Sequence, residues 1–438
     1  MHVRRLPRDD DGCGWYATLP APAPPRRLTS AQRADCVVLG AGFTGLAVAR
    51  QLAVHRPAWR VIVLDAQRVG FGASGRNSGF VVDVGHYAPR HGVEGNRCLV
   101  RLGRSGLAHL RDLVRRHAIE CAWTERGRLH GAVGDLGMRE LEAFYAGLDA
   151  MGEPYEALDA DAMATITGTT YYRAGAHTPG AAMVQPVALV RGLASALPSN
   201  VELFEESPVC AIRRGAQLRI EVATPDHEAV VVADRLFLAA NGFTAALGFL
   251  KRRVIPMFTF ASLTRVLTDA ERAALGGQPE WGLVPEARMA TTVRRTRDQR
   301  ILIRNTVHYA PDLQITNAHR RAIQETHRSA FRARFPMLPR VDFEYTWGGV
   351  MGITLNGVHF FGRIDDNVFA AAGYNGVGVA LGTIAGRLLA DFAVGADSAL
   401  LGDMLSLAHP SWIPPEPLLG VAVRATLARL AAHAREEV

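Results

Sequence analysis

ADCVVLGAGFTGLAVARQLAVHRPAWRVIVLD, residues 34–65, decides the fold. Residues 36–39 form a short apolar run, too short for a helix and suited to a buried strand. The run enters Gly40-Ala41-Gly42-Phe43-Thr44-Gly45, a G-x-G-x-x-G turn, after which Leu46, Ala49, Leu52 and Ala53 recur at helical spacing. A second apolar run, 61–64, ends on Asp65, about twenty residues past Gly45. Strand, glycine turn, helix, strand and acid follow in the order a dinucleotide site requires. Gly40 permits the tight turn, Gly42 lets a pyrophosphate approach the backbone, and Gly45 lets helix and strand pack closely. The helix N-terminus offers N–H groups and a positive dipole to the phosphates. Asp65 can accept hydrogen bonds from ribose hydroxyls.

Immediately downstream, Arg68-Val69-Gly70-Phe71-Gly72-Ala73-Ser74-Gly75-Arg76-Asn77-Ser78-Gly79-Phe80 is too glycine-rich for an ordinary helix or strand. A protein binding only a nicotinamide dinucleotide would resume alternating helix and strand here. A chain following a longer cofactor would place small residues against a flat ring, with Ser74, Arg76, Asn77 and Ser78 supplying hydrogen bonds. A third glycine turn, Gly373-Tyr374-Asn375-Gly376-Val377-Gly378, joins a buried strand at 368–372 to a helix at 379–392. It aims that helix's positive end at the same region.

The rest of the chain bounds the class. Its 438 residues exceed one ordinary core, so two domains are expected. With 48% hydrophobic and 21% charged residues it is globular. No run is long enough to span a membrane, and the basic start lacks a following apolar segment, so neither a membrane partner nor a secretory signal is expected. The cysteines (Cys13, Cys36, Cys98, Cys121, Cys210) form no C-x-x-C pair, which argues against a metal site and favours a reducing cytoplasm. The net charge of +7 is almost entirely arginine, Lys251 being the only lysine. Basic clusters such as 294–297 lack interleaved aromatics, so no nucleic-acid partner is expected.

In chain order, residues 1–30 form a proline-rich, extended leader that Trp15 and Tyr16 pin to the body. Helices are expected at 97–118, 138–148 and 187–197, and short strands at 126–133, 201–204, 209–213, 218–222 and 230–232. Strands at 257–263, 289–293 and 301–305 alternate with a charged helix near 318–335, and a linker and helix close the chain.

Three separated pieces, VVLGAGFTGLAVARQL…VIVLDA (37–66), RVGFGASGRNSGF (68–80) and YTWGGVMGITLNGVHFFGRI…FAAAGYNGVGVALGTIAGRLLAD (345–391), resemble the FAD-dependent amine and amino-acid oxidases. That family includes D-amino-acid oxidase, glycine oxidase, monomeric sarcosine oxidase and gamma-glutamylputrescine oxidase. The leader CGWYATLPAPAPPRRL is similar to the last of these. The resemblance implies an α/β fold: a discontinuous Rossmann-like FAD-binding domain (31–100, 165–247, 347–400) and a second α+β substrate domain on a mostly antiparallel sheet (101–164, 248–346). The leader 1–30 and the C-terminal linker and helix 401–438 flank them. The FAD site it implies comprises Gly40, Gly42, Phe43, Thr44, Gly45, Asp65, Ala66, Gly72, Ala73, Ser74, Arg76, Asn77, Ser78, Gly79, Val209, Asn241, Gly242, Gly373, Asn375, Gly376, Val377, Gly378 and Val379. Covalent relatives use a cysteine in the region matching 348–354 or a histidine in the loop matching 75–78. This chain has neither, so non-covalent FAD is expected.

The implied reaction is hydride transfer from the carbon beside an amine to flavin N5, giving an imine, with O2 or another electron acceptor reoxidising the flavin. The substrate is expected to be a primary or secondary amine, or an amino-acid derivative. Gly349-Val350-Met351-Gly352 stands where glycine oxidase has a carboxylate-binding arginine, which leans away from a small free amino acid. The candidate catalytic residues are Asp83 as partner of a cationic amine, His86 as proton acceptor, Arg304 as anion clamp and Tyr374 beside the ring. Two alternatives stand beside this reading: a biosynthetic tailoring flavoenzyme on an amine-bearing intermediate, and a flavin-binding subunit without turnover. The oligomeric state stays open.

Overall fold

The structure is a computed structural model that describes residues 3, 12–85, 87–224, 228–309 and 311–438. Its first sheet runs Phe360–Asp365, Val368–Ala372, Glu228–Leu238, Gln32–Leu39, Val61–Leu64, Val201–Phe204, and the pair Val209–Arg213 and Leu218–Ala223 joins it along Glu228–Leu238. The central strands are parallel: Cys36–Leu39 lie beside Val61–Leu64 on one side and beside Arg235–Leu238 on the other. Parallel strands are buried on both faces, which is why 36–39 and 61–64 read as unbroken apolar runs. Cys36, Val38 and Val63 face a helical layer containing Leu46, Leu110 and Ile384, whereas Val37, Leu39, Ile62 and Leu64 face Ile212, Ile220 and Phe249.

Helix Ala380–Val394 lies across helix Phe43–His55. A Cβ on Gly386 would stand 2.2 Å from the Thr44 carbonyl oxygen, so only glycine lets these two helix starts approach so closely. The two glycine turns that open these helices are thereby held side by side.

The second sheet runs Phe343–Ile353, Ile255–Thr264, Ile301–Tyr309, Thr292–Arg295, Trp281–Pro285, Arg128–Ala132, Ala174–Thr178, Glu156–Asp159. It is antiparallel apart from the parallel pairing of Trp281–Pro285 with Arg128–Ala132. Helix Asn317–Arg334 backs it, burying Phe331 against Phe343. This is the expected class, α/β with a second, mostly antiparallel sheet. The stretch 165–247 feeds both sheets: Ala174–Thr178 belongs to the second, Val201–Phe204 to the first.

Several local expectations need correction. Ala73–Arg76, inside the glycine-rich loop, closes one helical turn. Within the leader, Gly14–Ala17 forms a turn of helix before the proline stretch. The strand Trp281–Pro285 and the helix Ala399–Ser406 had no clear periodic signal.

Candidate functional site

All three glycine turns open onto one cavity of about 350 Å³, which also reaches Asp65 and the face of the second sheet. That volume lies within the roughly 300–1,000 Å³ of small-molecule and cofactor sites. Gly40, Gly42, Phe43 and Thr44 line it from the first turn, Gly72, Ala73, Ser74, Arg76, Asn77 and Ser78 from the second, and Tyr374, Asn375, Gly376, Val377, Gly378 and Val379 from the third. Asp65, Ala66, Val209, Asn241, Gly242 and Arg304 also line it. Gly45, Gly79, Gly373 and Asp83 are not in the lining, and His86 lies outside the described residues.

Gly45 works from behind the cavity: a Cβ there would fall 1.8 Å from the Gly40 carbonyl oxygen, so a methyl cannot enter without opening the turn. Gly40 itself has φ +106°, a conformation that favours glycine. Gly373 acts through its backbone, donating its N–H to Asn241 Oδ1 at 2.9 Å and tying the end of the strand Glu228–Leu238 to the third turn.

Three polar side chains of the second turn also bond within the protein. Ser74 Oγ accepts the Phe43 N–H at 3.1 Å, joining the second turn to the first. Asn77 closes its own loop, donating to Ser74 O and accepting the Gly79 N–H, both at 2.8 Å. Arg76 donates to Phe71 O at 2.6 Å and Gly348 O at 3.1 Å, fastening the loop to the strand Phe343–Ile353. Asn375, with φ +53°, accepts the Thr354 N–H at 2.9 Å and donates to Gly373 O at 2.8 Å. These side chains shape the cavity wall.

Asp65 accepts the Ala41 N–H at 2.7 Å and the Gln67 N–H at 2.9 Å. Burial pushes its carboxyl up to about 6, against the downward pull of those two hydrogen bonds and with a further upward push from Glu205. A carboxylate oxygen accepts more than one hydrogen bond, so capacity remains on the cavity side.

Two of the candidate catalytic residues are engaged within the protein, and Asp83 also lies outside the cavity lining. Asp83 is buried and points away, accepting the Val84 N–H at 2.7 Å and pairing with Arg104 at 3.3 Å. A Cβ on Gly180 would meet its carboxylate, so a neighbouring backbone closes over it. Tyr374 is buried, with its hydroxyl accepting from Thr44 Oγ1 at 3.0 Å and its ring against Gly378 and Gly382. Burial raises its pKa. Its hydroxyl links the starts of the two helices, and the residue contributes to the cavity wall.

Arg304 is the exception. It lies on Ile301–Tyr309 opposite Ala261 and Thr292, and all three line the cavity. Its side chain makes no hydrogen bond or ion pair with any described residue, and burial alone lowers its pKa. Sequence reasoning missed Arg128, a second cation in this wall, which donates to Val84 O at 3.0 Å and neighbours the buried pair His130–Glu286. An arginine opening the buried strand Arg128–Ala132 was the available signal. The remaining walls here are Phe80, Val82, Phe260, Val284, Val350 and Met351. Among the described residues, no histidine lines the cavity, and Asp65 is its only carboxylate.

The FAD-dependent oxidoreductase family model matches residues 35–392, and the chain belongs to that family. The probable oxidoreductase OrdL of Haemophilus influenzae is 27% identical over 387 residues, covering 85% of this chain and 86% of that protein. Gamma-glutamylputrescine oxidoreductase of Escherichia coli is 28% identical, with the same coverage. Among solved structures, glycine oxidase from Geobacillus kaustophilus superposes with a TM-score of 0.70 over 84% of this chain and 96% of its own, at 20% identity, a likeness of fold.

The protein is therefore an FAD-dependent enzyme of the oxidoreductase class, and the residues present fit the cofactor. Gly72 has nothing within 4 Å of a built Cβ, and Gly376 only Met351 Sδ at 3.9 Å, so backbone is bared to the cavity at both turns. Two helix N-termini and one carboxylate are placed along it as a dinucleotide's phosphates and ribose require. Among the described residues, no cluster could hold a metal ion and no helix is long and apolar enough to cross a membrane.

Proposed function

We propose that this enzyme oxidises the C–N bond of a primary or secondary amine that also carries an anionic group. When bound, FAD would supply the hydride acceptor. The chain's own residues bind and orient. The first turn and Asp65 would hold the pyrophosphate and ribose, and the start of helix Ala380–Val394 would place positive dipole beside the ring, favouring negative charge there. Arg304 and Arg128 would draw an anionic substrate to the sheet face, while Phe80, Phe260 and Met351 exclude water around the reacting carbon. The absence of cysteine and histidine from the described lining supports a non-covalent cofactor.

An ammonium has no lone pair to assist loss of hydride, so the substrate would react with its nitrogen neutral. Reduction should therefore quicken as pH rises toward the amine's own pKa. The observation that carries this reading is Arg304: a cation with no partner among the described residues, facing the cavity that the three turns share. The names of the relatives, gamma-glutamylputrescine oxidoreductase and glycine oxidase, support the amine.

The test is anaerobic mixing of the yellow protein with amines, with and without a carboxylate, followed at the flavin band. Bleaching by carboxylate-bearing amines is expected. A spectrum unmoved by every amine would remove the reading and favour a flavin-binding subunit without turnover.

A further inference from the structure

The leader grips the back of the loop whose front lines the cavity. Trp15 Nε1 donates to Asn77 O at 2.8 Å, Tyr16 Oη donates to Val69 O, and Cys13 Sγ lies 3.6 Å from Gly75 O. Those acceptors belong to the same loop that presents Gly72, Ser74 and Ser78 to the cavity. The grip is anchored on other elements. Gln185 Nε2 donates to Trp15 O at 2.6 Å, the Arg191 guanidinium lies 4.2 Å from the centre of the Tyr16 ring, and Trp15 meets the edge of buried Trp347 with ring centres 6.1 Å apart. A Cβ on Gly14 would touch Trp347 and Tyr345 at 3.0 Å, so the leader is pressed against the strand Phe343–Ile353. Trp15 and Cys13 are buried in a cluster with Val187, Leu263 and Trp347, and no cluster residue comes from the first sheet.

We infer that residues 12–19 are a cofactor clasp: they hold the 69–79 loop in its FAD-binding shape and set how tightly FAD is retained. Asn77 O and Val69 O are the points of transmission. Losing either donor leaves a carbonyl unpaired in a largely dry contact and lets the loop relax away from the cavity. The coupling is reciprocal: if the clasp tightens FAD by some factor, FAD tightens the clasp by the same factor. Trp15 and Tyr16 are positioning residues, acting through the loop.

The test measures FAD binding and needs no substrate, so its failure is separate from any failure of amine oxidation. Trp15→Phe and Tyr16→Phe keep an aromatic ring and remove one donor each. Each should weaken the FAD dissociation constant about two- to tenfold, the worth of one hydrogen bond. Arg33→Ala, whose side chain meets Gln217 on the first sheet, should leave it unchanged. Hydrogen exchange on the unmodified protein should show the amides of residues 13–19 slowed when FAD is added to apoprotein. If both variants bind FAD as the parent does, or lose equal thermal stability with and without FAD, the leader is only packing and the inference fails. It also fails if FAD leaves exchange in 13–19 unchanged, a result that stands even should a variant not fold.

Discussion

Asp65 should make FAD affinity depend on pH. In the apoprotein its carboxyl sits at about 6, raised by burial. Ribose hydroxyls donate to the ionised form, so binding should return it toward the ordinary carboxylate value of about 4. At pH 5 about nine-tenths of the apoprotein then carries a proton that must leave on binding; at pH 7 only about a tenth does. The dissociation constant should therefore fall about tenfold from pH 5 to pH 7 and level off above. Apoprotein stability moves the other way. A folded-state value above the unfolded one means that the folded chain binds more protons between about pH 4 and 6, so this group's contribution declines as pH rises through that window. The assay is fluorescence titration of apoprotein with FAD at pH 5, 6 and 7, beside Asp65→Asn. The variant should bind more weakly at pH 7 and lose the slope. A flat parent profile, or the same slope in Asp65→Asn, would refute the assignment of Asp65 to the ribose.

Gly45→Ala should open the turn at Gly40, costing about 1–3 kcal/mol of stability by overpacking and abolishing bound flavin colour, read by urea unfolding and absorbance. Arg304→Leu should raise KM for an anionic amine about ten- to hundredfold with little change in kcat, and Arg304→Lys should recover part of it. The same Leu variant should melt no lower than the parent, since the arginine it removes has no partner among the described residues. Asp83→Asn should leave flavin reduction by amine near the parent rate while lowering stability by about 1 kcal/mol, because it weakens the pairing of a buried carboxylate with the exposed Arg104; a large loss of reduction rate at unchanged stability would restore it to the chemistry.

The glycine turns were legible because each has a backbone reason contained in a few residues. Gly40 needs its positive φ and Gly45 its missing Cβ, and both needs are written beside a strand and a helix. The polar residues between them were legible as site residues but not in their roles. Asn77 reads equally well as a ligand to a cofactor or as a donor to its own loop, and only the folded loop shows that its amide turns inward. Asp83 follows the loop in sequence, yet its direction is set by Arg104 on the helix Gly92–Arg116, a contact no local pattern carries.

The substrate end was the least legible part because it is a property of register. Arg304 faces the cavity because Ile301–Tyr309 pairs Arg304 with Ala261 on one side and Thr292 on the other, so three side chains from three strands share a face. Val284, opposite His130 in the next pairing, and Arg128, two residues along from His130, continue that face. A one-residue slip in any pairing would turn its contribution to the far side. A cation held partly out of water without a partner costs stability that hydrophobic neighbours could have spared. Arg128 is compensated by Glu286 and Asp83, whereas no described residue compensates Arg304. A negatively charged group entering this cavity beside the flavin would supply the compensation that no described residue gives Arg304.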